Sequence, residues 1–237
     1  MNSSSIGQPT ESSRLSRERV LSTALKIIDE DGVEGLSMRG LGRVLDCDPM
    51  SLYHYAANKT ALLDSVAEMV ISELKIDTND MDWAGQLRSV ARDFRQLALD
   101  HPHVVPLLVT RALATPLGLR PLGTLRPLEA SLELLTRAGF TAIDALYVYR
   151  YFFGFLYGHI LHELQELVVN HEESDALLRL GLQRLPVREF PLMRSLAPVL
   201  ADYDGPAELE RGVGILLAGL ESQLLPKIAS PTGAARD

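Results

Sequence analysis

Residues 37–59 read SMRGLGRVLDCDPMSLYHYAANK, and this stretch decides the fold. Met38, Leu41, Val44 and Leu45 recur at three- and four-residue spacing, which puts them on one face of a helix. The Ser37 hydroxyl is placed to cap that helix, and Leu36 to pack on Leu41 as a hydrophobic staple. The helix should stop near Asp46. A second start follows at once, because Asp48 is an N-cap acceptor and Pro49 takes the first helical position, where its missing N–H costs nothing. Two short helices joined by a tight turn make a helix-turn-helix.

The second helix is poor in apolar residues. Leu52 is its one aliphatic anchor, while Pro49, Met50, Ser51, Tyr53 and His54 present short or hydrogen-bonding groups outward. Major-groove readers set the N-terminal residues of such a helix against base edges. Met50 and Ser51 are therefore candidates for thymine-methyl or base contacts, and Tyr53 and His54 for phosphate or base contacts. Arg39, in the first turn of the preceding helix, is within reach of a guanine edge or a phosphate. Lys59 follows Asn58, the expected cap of the next helix, where ammonium and helix dipole face a phosphate together.

Charge alone leaves the readings open, a DNA reader or a helix-turn-helix that binds protein or is purely structural. From Arg14 to Asp64 the seven bases are matched by eight acids. Placement favours DNA: Arg14, Arg17, Arg39 and Lys59 sit at helix starts or in the tail, and Asp29 and Asp31 at the far end of the first helix.

The run from Leu15 to Ala67, with its Asp31–Gly32 ending, Leu52–Tyr53 and Asn58–Lys59 followed by Leu62–Leu63, resembles the DNA-binding domain of the tetracycline-repressor (TetR) family. The resemblance implies that Ser37, Arg39, Pro49, Met50, Ser51, Tyr53, His54, Tyr55 and Lys59 form the DNA-contacting surface. His54 and Met50 depart from the residues frequent in the family, so no operator sequence carries over. The C-terminal part resembles the subgroup of the tetracycline repressor itself, in RAGFTAIDALY (137–147) and GLESQL (219–224). The function implied is that of a ligand-responsive transcriptional repressor on double-stranded operator DNA. The competing reading is an all-α ligand-binding or scaffolding protein whose helix-turn-helix does not read DNA.

Composition agrees with a regulator in the cytoplasm. With 237 residues, 46% of them apolar, the chain can bury one substantial core and a small domain. Its single cysteine, Cys47, excludes an intramolecular disulfide framework and fits a reducing compartment. Cys47 reads as a staple partner for Leu52 before it reads as a redox sensor. The first 14 residues lack the apolar run of a signal peptide and read as a disordered tail. Of the net charge of −8, the residues after Ser65 contribute −6, so the body should be acidic. The stretch 145–161 is apolar but carries Arg150 and His159 and is short for a membrane span, so no membrane is expected.

Helical periods recur throughout, and the expected fold is all-α. A three-helix reader over 15–62 is followed by a larger helical ligand-binding and dimerisation domain over 63–228, with tails at 1–14 and 229–237. The first helix should run from Arg17, capped by Ser16, and end at Gly32, and the fourth should carry Leu63, Val66, Ala67, Val70 and Leu74. A fifth should carry Leu87, Val90, Ala91, Phe94, Leu97 and Ala98 and end at His101–Pro102. A short helix and a loop are expected between Arg111 and Gly123. Further helices are expected over 128–138, 142 to about 169, 191–202 and 207 to about 225.

Gly154 and Gly158 on the long helix, and Gly212 and Gly219 with Leu216 and Leu220 on the last, offer flat strips to another helix; core packing within one chain explains the leucines equally well. The resemblance implies that these two helices form a four-helix bundle with those of a second copy, hence a homodimer. Two readers about 34–36 Å apart then suit a palindromic site. It also implies a small organic effector between the fifth and eighth helices, with Phe94, Leu97, Leu128, Ser131, Leu135, Tyr149, Phe153 and His162 nearby. The family's drug-responsive member uses a magnesium chelate, but its carboxylate position aligns with His162 and its histidine with the loop 112–118, which has none. Tyr147, Tyr149, Tyr151, Phe152 and Phe155 suit an aromatic molecule instead, or bundle core. His159 with Glu163, and His162 with Glu166, are two-ligand faces that nothing completes, so neither metal nor cofactor is expected. No phosphate loop or nucleophile elbow points to an enzyme.

Overall fold

The computed structural model describes residues 15–114, 120, 122–165, 181–200 and 204–225. Every regular element among them is a helix. The expected tails at 1–14 and 229–237, and the expected extension of the long helix to about Val169, lie outside the described residues.

Contacts divide the chain into two compact units, 1–73 with 103–124, and 74–102 with 125–237. The expected division after Leu62 thus falls inside a helix, α4 (Lys59–Ile71), which belongs whole to the first unit.

The first unit contains α1 (Arg17–Gly35), α2 (Met38–Val44), α3 (Pro49–Leu52), α4 and α6 (Val105–Ala114). Each of its first four helices starts where the local chemistry dictates. Ser16 Oγ accepts from Arg19 N at 3.2 Å, Ser37 Oγ from Gly40 N at 3.0 Å, Asp48 Oδ1 from Met50 N at 2.8 Å and Asn58 Oδ1 from Ala61 N at 2.8 Å. Each cap stabilises by about 1 kcal/mol. Gly32, at φ +72°, breaks the helical path of α1 where the sequence predicts its end. α1 packs on α2 and α4, and α4 on α6. Leu21, Ala24, Ile28, Leu41, Leu52, Leu62 and Val66 are buried in that core.

The second unit contains α5 (Trp83–Asp100), most of α7 (Leu122–Arg137), α8 (Ala142–Leu164), α9 (Pro191–Ser195), α10 (Ala197–Leu200) and α11 (Gly205–Leu224). α5, α8 and α11 pack on one another around Leu87, Phe94, Phe152, Leu156, Ile160 and Val213. Trp83 meets Phe140 edge-on, ring centroids 5.1 Å apart.

Several expected boundaries move. α5 starts at Trp83, ahead of Leu87, because Asp82 caps Gly85 N at 2.8 Å. α11 starts at Gly205, ahead of Ala207, because Asp204 caps it. α7 starts at Leu122 and runs through Pro127, which lies inside the helix and removes the bond an N–H there would make to the Gly123 carbonyl. The single helix expected over 191–202 is two short ones, with 201–203 outside the described residues. α4 ends at Ile71, so Leu74 is buried from the following segment.

Candidate nucleic-acid interface and effector core

A Schellman closure makes the turn between α2 and α3. Cys47 N donates to Gly42 O at 2.9 Å and Asp46 N to Arg43 O at 3.3 Å, with Asp46 left-handed at φ +52°. Aspartate is among the few side chains that tolerate that conformation. Gly42 is buried against Pro49 and the Cys47 carbonyl, which lets α3 approach α2 closely. Val44 does not join the apolar face assigned to it. It is exposed, because the face that α2 and its cap bury is the narrow one of Leu41, Gly42 and Leu45.

α3 is four residues long, so Tyr53 and His54 stand in the turn after it. Leu52 is fully buried, while Met50 is 69% and Tyr53 46% exposed, and His54 is exposed beside them. Pro49 and Ser51 are half-buried, and Ser37 and Arg39 exposed. Ser37 has its oxygen engaged as a cap. Lys59 lies half-exposed, 3.9 Å from the exposed carboxylate of Glu34, a contact too open to hold it. Tyr55 departs from the family expectation of a DNA contact: it is half-buried and its hydroxyl donates to Leu15 O at 2.9 Å. Its visible work is to tie the entry of α1 to the end of the helix-turn-helix.

In the second unit the expected effector residues fall into two groups. Phe94, Leu97, Ser131, Leu135 and Phe153 are buried, and Leu128 and Tyr149 half-buried. Rings cluster here: Tyr149 and Phe153 at 4.6 Å, Phe153 and Tyr157 at 5.7 Å, Phe94 and Tyr157 at 5.4 Å between centroids. The buried hydroxyl of Ser131 donates to Pro127 O at 2.6 Å. His162 stands apart from this group, on the exposed face of α8. Tyr147 and Tyr151 are also exposed, rings stacked at 6.2 Å, so they line no interior.

Glu163 is 2% exposed, and Arg95, 19% exposed, holds it with Nε 3.0 Å from both carboxylate oxygens. That pairing bears on the His159–Glu163 face; Glu166, of the other expected pair, lies outside the described residues. The one buried carboxylate of the expected His159–Glu163 face is neutralised by a guanidinium, and the His159 ring lies over Phe155 at 5.9 Å. These residues do not fit a magnesium chelate. No sequence signal marked Arg95, because its partner is 68 positions away.

The dimer expectation also divides. Gly154, Gly158 and Gly219 are exposed with open space where a side chain would be. Gly212 instead makes room for the Phe155 ring of the same chain, Leu220 is buried within the protomer, and Leu216 is half-buried. The strips left open are Ile143, Tyr147, Tyr151, Gly154 and Gly158 on α8, and Ile215, Ala218 and Gly219 on α11.

Residues 77–224, well over half of the chain, match the family model described as tetracyclin repressor-like, C-terminal domain. The chain belongs to the tetracycline-repressor-like family. Among its relatives is the tetracycline repressor protein class A from transposon 1721 of Escherichia coli, 30% identical over 217 residues, 90% of this chain and 93% of that protein. The class C tetracycline repressor protein of Escherichia coli is 28% identical over 90% of this chain and 93% of its own length. In structure the chain is similar to the Streptomyces coelicolor TetR family protein ActR in complex with actinorhodin. That likeness has a TM-score of 0.73 at 27% identity and covers 88% of this chain and 98% of ActR. Membership makes the chain a ligand-responsive transcriptional regulator with an N-terminal helix-turn-helix and a helical C-terminal domain. Among the described residues, no helix of this TetR-like regulator is long and apolar enough to cross a membrane.

Proposed function

We propose that the chain is a cytoplasmic repressor that binds a palindromic operator as a homodimer and leaves it when a small organic effector enters the second unit. One observation carries the DNA reading. α3 is anchored by Leu52 alone and leaves Met50, Tyr53 and His54 exposed around it, as a helix does when its outward side chains reach a groove. Met50 and Ser51 face base edges; Arg39, Tyr53, His54 and Lys59 meet phosphates or guanine. Ser37 and Pro49 shape the rim, and Tyr55 supports it.

The open strips of α8 and α11 support a two-fold four-helix interface, in which Gly154, Gly158 and Gly219 let backbones approach. Gly212, Leu216 and Leu220 then act from beneath that interface rather than in it. The ring cluster of Phe94, Tyr149, Phe153 and Tyr157 supports an aromatic or amphipathic effector, with Leu97, Leu128, Ser131 and Leu135 around it. His162 lies outside that set.

The test is selection of random duplexes by the purified protein, then affinity for the winner against bulk DNA at fixed near-physiological salt. A palindromic winner bound about a thousand-fold more tightly than bulk is the expected result. Enrichment of no duplex, with or without cell extract, overturns the reading.

A further inference from the structure

The chain passes between its two compact units at three places. Glu73–Leu74 and Pro102–His103 lie in non-helical backbone, whereas Thr124–Leu125 falls inside α7. The first turn of α7 therefore belongs with α4 and α6. The turns that carry Leu128, Ser131 and Leu135 belong with the effector core.

One side chain of α4 grips that first turn. Glu68 Oε1 accepts from Gly123 N at 2.8 Å, partly buried and across 55 residues of sequence. First-turn amides have no acceptor within their own helix and carry partial positive charge, so a carboxylate is a favourable partner for them. A Cβ at Gly123 would overlap the carboxylate arm of Glu68, which would have to swing aside. Pro127, four residues on, supplies no N–H to the Gly123 carbonyl, so the ladder of this turn lacks one bond.

We propose that Glu68 is a positioning residue that couples the effector core to the reader. It ties the first turn of α7 to α4, so a shift of the α7 face bearing Leu128, Ser131 and Leu135 reaches the helix that starts at Lys59. This inference rests on the regulatory reading above. Coupling between two sites is reciprocal, so operator binding must change α7 just as an effector on α7 must change the reader. The test therefore uses the operator as its probe.

Amide hydrogen exchange of the full-length protein is followed with and without the selected duplex at matched salt. In the unmodified protein the duplex changes exchange over residues 128–137 by about fivefold or more. Glu68→Ala still binds the duplex but loses that response, and Glu68→Gln, which keeps an acceptor oxygen, retains it. Gly123→Ala, a better helix former that displaces the Glu68 arm, loses the response as well, which separates lost coupling from a weakened helix. If α7 is silent in the unmodified protein, or both lesions alter free and bound exchange equally and leave the difference intact, the coupling role is overturned. If no duplex is selected at all, the regulatory reading itself fails and this inference falls with it, before any variant is made.

Discussion

α3 and α8 use their residues in opposite ways. α3 buries one side chain of four and leaves Met50, with Tyr53 and His54 beyond its end, in solvent. α8 has 23 residues and encloses Phe152, Phe153, Leu156, Ile160 and Glu163, while an outward strip of Ile143, Tyr147, Tyr151 and two glycines stays open. The contrast teaches where each kind of lesion falls. On the proposed reading, lesions at exposed side chains around α3 should change binding and hardly stability, and lesions at enclosed ones on α8 stability first.

The largest effect expected is at Phe152, fully buried and packed edge-on against Phe153 at 5.1 Å. Phe152→Ala should destabilise by about 3–5 kcal/mol, read as a fall in the urea midpoint. Tyr53→Ala should stay within about 0.5 kcal/mol in the same assay while weakening operator binding. Equal losses of stability would break the contrast. Next comes Arg95→Ala, which leaves the Glu163 carboxylate buried without its partner and should cost about 3 kcal/mol. Arg95 has no role at the DNA surface, so operator affinity per folded molecule should not move.

Within the reader, Arg39→Ala should lose about 1–3 kcal/mol of operator binding and relax specificity at one position, whereas Lys59→Ala should weaken all sequences alike and reduce the salt slope by about 1. Tyr55→Phe sharpens the division further. It removes the hydrogen bond to Leu15 O, so unfolding should shift by about 1 kcal/mol, with less change in DNA affinity than Tyr53→Ala brings. The smallest effect lies at Asp80. The Asp82 backbone amide, and then the Gln86 side chain, hold its carboxyl below the ordinary carboxylate value, against a slight opposing effect of burial. A lowered value means a contribution present above the ordinary carboxylate range and lost as pH falls through the shifted one. An NMR titration should find Asp80 below the ordinary aspartate value, and Gln86→Ala should raise it.

The helix starts and stops of the first unit were legible because their signals are short-range, whereas the outward turn of Val44 and the inward one of Tyr55 were not. Ser16, Ser37, Asp48 and Asn58 each act within three residues, and Gly32 and Asp46 stop their helices by local backbone geometry. Asp82 and Asp204 carry the same kind of signal, and reading helix starts from the first apolar residue passed over both. The second unit was legible only as helices. Periodicity identifies an apolar stripe on α8 or α11 but not which stripe meets its own chain, so Leu220 and Gly212 read the same as Gly154 and Gly158.

The residues by themselves determined an all-α chain, a capped helix-turn-helix and the rim of side chains around Leu52, because capping, turn chemistry and helical period act between neighbours. Only the tertiary structure decided that Tyr55 turns inward to Leu15, that Glu163 belongs to Arg95, and that Glu68 grips the start of α7. Those pairings join residues 40, 68 and 55 positions apart, and hydrogen-bond geometry at such separation depends on how whole helices pack, which no local pattern encodes.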